Sequence, residues 1–147
     1  MARRAKILAS EITQQGNKVI FQGAYRGFHA LGGHIEHQRE IKLTLSGDGN
    51  IDAMATTDWV RGKGNRVLEN FIHLHPDAVI TEVDENCLQI YFSTGLTCMV
   101  SFYEGASYSL EESYYCPKFG IAIRNTCIVV HKKAALPTRL SYVIRKL

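Results

Sequence analysis

The chain lacks helical periodicity. No window of a dozen residues sets its apolar side chains three and four apart, so an amphipathic helix has no stripe to bury. It also lacks paired cysteine motifs. Cys87, Cys98, Cys116 and Cys127 stand far apart, which excludes zinc-ribbon and CxxC redox spacing. All four lie in apolar or aromatic segments and are expected as buried, reduced thiols, since disulfides need an oxidising compartment. No apolar run approaches the length of a membrane span. Charge is sparse and balanced: 17 basic and 14 acidic residues leave +3, which permits an acidic partner and excludes a basic nucleic-acid arm. The segment from Met1 to Glu11 has the positive front of a signal peptide without its apolar middle, because Glu11 and Gln14–Gln15 arrive too early. A cytoplasmic chain with no membrane or nucleic-acid partner is the expectation. No internal repeat is visible.

What is present is alternation. The 147 residues, 46% apolar and 21% charged, suit one domain over 1–147 that buries a core without staples. Strands are expected at 4–13, 18–26, 35–46, 51–58, 67–75, 78–83, 87–93, 96–103, 107–115, 120–131 and 140–144. Turn residues separate them, such as Gln14-Gln15-Gly16-Asn17 and Gly47-Asp48-Gly49-Asn50. A break falls at Pro137. About eleven strands with this spacing predict an all-β, antiparallel β-sandwich. Residues 27–34 read as a Gly-rich loop containing His29. Trp59 to Asn65 reads as the most solvent-directed loop.

The stretch Phe71-Ile-His-Leu-His-Pro76 closes one alternating run. Leu68, Ile72 and Leu74 share one strand face, and Phe71, His73 and His75 the other. Pro76 cannot donate to a ladder and should end the strand. Two imidazoles about 7 Å apart then share a sheet face. They are a candidate functional pair, for zinc with Asp77, His37 or His131, or for acid–base work. No further spacing supports a third ligand. Hydrogen-bonded imidazoles that fix the strand end are the expectation, with no catalytic residue, metal or cofactor.

The same stretch carries a family resemblance. Phe71-Ile-His-Leu-His-Pro76 is similar to the aromatic and His-Leu-His-Pro element of the C-terminal β domain of heparinase II/III-like polysaccharide lyases. Tyr25-Arg26 resembles the family's Gly-Tyr-Arg element. His37-Gln38-Arg39-Glu40-Ile41 resembles its His-Arg-Arg-x-Leu strand, and 109–115 its segment before a Phe-Gly, here Phe119-Gly120. Order and spacing hold from about Arg3 to Ile144. Family members are much larger, with an α/α toroid that carries a catalytic Tyr and His, and a further His in an Ala-His-Asn element. Neither the toroid nor Ala-His-Asn occurs here. Some members bind a structural zinc in the β domain; one family His falls at Gln22 here. Members are often periplasmic or secreted.

The resemblance implies a non-catalytic module that binds acidic polysaccharide or a catalytic-domain chain. The alternative is one part of a split or truncated lyase that cleaves acidic glycans by β-elimination once joined to a toroid chain. Trp59, Arg61, Lys63 and Arg66 combine an aromatic plate with cations suited to sugars bearing sulfate or carboxylate. Tyr25, His29, His37 and Arg39 are the residue types that β-elimination needs. With Ile41 and Leu43 toward the core, His37 and Arg39 are assigned to the polar face of their strand, an open surface that gives no lyase activity alone. Tyr103, Tyr108, Tyr114 and Tyr115 are expected in core or interface. A homodimer or strand exchange is expected to cover a sheet edge left exposed.

Overall fold

A computed structural model describes residues 5–27, 35–103 and 105–147, and every element in them is a strand. These are β1 (Lys6–Gln15), β2 (Lys18–Gly27), β3 (Ile35–Leu45), β4 (Ile51–Arg61), β5 (Asn65–His73), β6 (Val79–Asp84), β7 (Cys87–Tyr91), β8 (Thr97–Tyr103), β9 (Ser107–Lys118), β10 (Ile121–Ala135) and β11 (Thr138–Lys146). His29 lies outside the described residues. Two antiparallel sheets form, one of eight strands in the order β1-β2-β3-β4-β11-β8-β7-β6 and one of three in the order β5-β10-β9.

Alternation builds the core. On β7, Leu88 and Ile90 are buried; on β8, Val100 and Phe102; on β11, Leu140 and Tyr142. They meet Ile128 and Val130 of β10, with Leu68 and Ile72 of β5 packed against the cluster. Each fully buried aliphatic side chain contributes roughly 2 kcal/mol relative to exposure. Phe102 and Tyr108 stack with centroids 4.9 Å apart, seating β9 on β8.

The layers are unequal. The small sheet lies over β4, β11, β8 and β7, whereas β1 to β3 contact chiefly their own sheet neighbours. Their face toward the missing half-layer is apolar: Ile7 is 76% and Ile12 72% exposed. Val19, Phe21, Ile41 and Leu43 share that face and are half-buried, with no strand of the small sheet over them among the described residues.

Three expectations are corrected. β4 continues through Trp59, Val60 and Arg61, which pair with Arg139, Thr138 and Glu36. Only Gly62, Lys63 and Gly64 turn the chain toward the small sheet, Gly64 at φ +86°. Ladder bonds to strands on both sides outweigh the pull of three nearby cations toward solvent. β5 ends at His73, before Pro76; Leu74 still donates to Thr126 (3.0 Å), but the His75 carbonyl accepts from Ala78 in a turn. The outward assignment of Phe71, His73 and His75 holds, with Leu74 buried. Cys98 and Cys127 are buried, where burial pushes their thiol pKa up; Cys87 is half-buried and Cys116 exposed, all four free. Cys116 differs from expectation because the outer end of the β9–β10 hairpin has no layer over it, so Tyr114 is 60% exposed there too.

Packing at Ile128, which is fully buried, sets the stability scale. Ile128→Ala is expected to cost about 3 kcal/mol, whereas Ile51→Ala, at an exposed site, should stay within about 0.5 kcal/mol. Urea unfolding of both variants measures the contrast.

Candidate functional site

Asp58 is the centre of a polar cluster in the seam between the sheets. Strand β4 turns Thr56, Asp58 and Val60 inward, and Asp58 is 4% exposed. A buried carboxylate is costly unless every lone pair is used. Here four donors converge. His37 Nε2 (2.6 Å) and Arg39 Nε (2.7 Å) reach Oδ1. Arg39 Nη2 (2.9 Å) and Asn70 Nδ2 (2.7 Å) reach Oδ2. His37 and Arg39 come from β3, and Asn70 from β5 of the opposite sheet. One carboxylate therefore ties the two layers together.

The electrostatics follow. Burial alone raises the Asp58 pKa, but the hydrogen bonds from His37 and Arg39 outweigh it and hold the carboxyl below its ordinary value. An ionised Asp58 accepts, so His37 carries its proton on Nε2. The Asp58 hydrogen bond holds the Arg39 pKa up. Tyr25 meets His37 edge to face at 5.2 Å, and burial raises its pKa.

These residues line a cleft of about 320 Å³ with Ile35, Val60 and Leu140 on one side and Arg66, Glu69 and Phe71 of β5 on the other. This corrects the assignment of His37 and Arg39 to the polar face. Residues two apart on a strand share a face, so both lie on the side of Ile41 and Leu43. The expected open surface is instead a cleft with a second wall. Tyr25, His37, Arg39 and Arg66 come together here. Asp58 and Asn70 were not singled out from the sequence. The signal was an Asp on the inward register of a strand, two residues from Thr56.

Trp59 and Arg61 face away from this cleft, because each follows an inward residue. Trp59 is half-buried between Gln38 and Arg139 on the outer face of the large sheet, with exposed Arg61 two positions on. The outer face also carries Arg26 bonded to Glu36, whose carboxyl pKa that bond lowers. Lys63 sits in the following turn, and Arg66 has left the group for the cleft.

His73 and His75 go to separate partners. His73 Nδ1 meets the Ser113 hydroxyl at 3.2 Å. His75 bonds Asp77 and lies 5.3 Å from the Tyr115 ring. Asp77 also accepts from the Ser93 hydroxyl and backbone, and those bonds, with His75, keep its pKa low. The cluster fastens the β5–β6 turn to the β7–β8 turn. Gln22, which the resemblance sets where some family members have a zinc-binding His, donates to Glu40 (2.8 Å). Among the described residues no three His, Cys, Asp or Glu side chains gather as a metal site.

Asp58→Ala is expected to cost about 3–5 kcal/mol, since it strands Arg39 and Asn70 without their acceptor. Its folded pKa is depressed, so its contribution is complete above the unfolded value of about 3.9 and fades as pH falls through the folded one. Urea unfolding from pH 7 to pH 3 should show the gap between wild type and Asp58→Ala narrowing only at the acidic end.

Over 97% of its length the chain superposes on a heparan sulfate lyase from Pedobacter heparinus, at TM-score 0.71 and 14% identity, and covers 22% of that enzyme. Two structures of heparinase III match over the same share, at TM-scores of 0.68 and 0.65 with 14% and 13% identity, and the chain covers 21% of each. The chain thus spans about a fifth of the lyases it resembles. No curated protein sequence matches it. The model of the family described as heparinase II/III-like, C-terminal, matches residues 1–143. The chain belongs to the heparinase II/III-like C-terminal family, and its two antiparallel sheets are the fold of that domain.

Proposed function

We propose that the chain is a non-catalytic module of polysaccharide-lyase type that holds acidic polysaccharide on the outer face of its large sheet. The observation that carries this reading is the placement of Trp59 directly across from Arg139, with Arg61 two residues on along the same strand and face. An aromatic plate stacks on a sugar ring, and guanidinium forks pair with sulfate or carboxylate. Lys63 adds a cation in the adjoining turn. The structural relatives named above are lyases, one of them for heparan sulfate, which makes sulfated glycan the first ligand to test.

A second reading rests on the cleft. Asp58 holds His37 and Arg39 beside Tyr25, the side-chain types that abstract a proton and neutralise a uronate. In a split lyase, a toroid chain would close over them. Within the cleft the Asp58 carboxylate already pairs with Arg39, so the outer face is favoured for the anion.

Titration calorimetry with heparan sulfate oligosaccharides at low salt should show binding. Trp59→Ala and Arg61→Ala should each weaken it about tenfold, a loss of about 1.4 kcal/mol, and added salt should weaken it further. No binding, or undiminished binding by Trp59→Ala, overturns the reading. The chain alone should release no unsaturated product by ultraviolet absorbance; release on adding a toroid chain would establish the second reading.

A further inference from the structure

We propose that two copies of this chain associate by laying their uncovered β1–β3 faces on each other, with β1 of each copy beside the free β5 edge of the other. Three observations lead here. First, the eight-stranded sheet faces a layer only three strands wide, and the deficit is at β1 to β3. The uncovered set of one copy is itself three strands wide, the width the other copy lacks.

Second, two edges end in unpaired ladders on either side of that gap. Among the described residues, strand β5, nine residues long, pairs only with β10, and β1, ten residues long, pairs only with β2. A two-fold axis along the strands, midway between the layers, exchanges the copies and brings β1 of one beside β5 of the other. Each edge carries one basic and one acidic residue, Lys6 with Glu11 and Arg66 with Glu69, so neither repels the other.

Third, the face is apolar where it should be polar if it met water. Ile7 and Ile12 are mostly exposed, while Val19, Phe21, Ile41 and Leu43 are half-buried with no second layer over them among the described residues. The reverse face of the same strands carries Glu11, Lys18, Gln22, Arg26, Glu40 and Lys42. An antiparallel sheet with one apolar and one polar face buries the apolar one. Three strands about 4.8 Å apart and ten residues long present about 500 Å² on each copy. Two copies reach about 1,000 Å² before the edges are counted, the lower bound for a specific interface.

The inference is independent of the glycan reading, because Trp59, Arg61 and Arg139 lie on the opposite face of the sheet. It bears on the split-lyase reading, because the partner's β1 would roof the cleft of Tyr25, His37 and Arg39.

Light scattering of the full chain across micromolar concentrations tests it. The expected mass is twice the 16.5 kDa of one chain. Ile12→Glu, at a site open in the single chain, should weaken the dimer at least about tenfold and leave circular dichroism unchanged. Val79→Glu, on β6 at the far edge of the sheet and 62% exposed, should leave the dimer intact. In the dimer, backbone amides of β1 should exchange slowly with solvent, and in Ile12→Glu quickly. A monomer throughout the range, or a dimer indifferent to Ile12→Glu, overturns the proposal and leaves the face to a different chain.

Discussion

A single ionised carboxylate in the seam between two sheets fixes how they lie on each other. Hydrophobic burial favours contact between the layers but tolerates sliding, because dispersion and water exclusion have no direction. The four hydrogen bonds to Asp58 have direction. Arg39 supplies a planar fork, His37 a ring held by Tyr25, and Asn70 an amide from the opposite sheet. Satisfying them admits one register of β5 over β3 and β4. The arrangement also sets the electrostatics of the cleft: Arg39 enters it already paired with the Asp58 carboxylate.

The second constraint is the mismatch in width. Eight strands opposite three leave an amphipathic wing with its apolar side open and two ladders unfinished. The chain spans about a fifth of the lyases it resembles. The wing is the part of the fold whose stability depends most on what lies over it, and the Asp58 cleft marks the line where cover stops.

Much of the strand plan was legible because side-chain alternation is a local property. The runs at 41–45, 87–91 and 97–103 announce themselves through apolar side chains at every second position, and the Gly-rich turns at 47–50 and 94–95 need no tertiary help. The outward placement of Phe71 and His73 followed from the same rule. The rule was also sufficient for His37 and Arg39, which share the parity of Ile41 and Leu43; reading them by polarity placed them on the wrong face. Polarity misled because a buried ion pair looks, in sequence, like a solvated surface. Trp59 and Arg61 were read as a loop for the same reason, since cations and glycines nearby outweighed two strand-forming residues.

By itself, the order of residues determined the class of element, the number of strands and which side chains share a face, because each depends on neighbours within a few positions. It also carried the scattered Tyr25, His37 and His73 elements that tie the chain to its family. Only the tertiary structure decided that Asp58 would meet Asn70 of the opposite sheet, that Arg66 would part from Trp59, and that three strands would stand without cover. Those outcomes depend on which strands become neighbours across a layer. That pairing is set by the summed packing of residues far apart in the chain, and no local pattern records it.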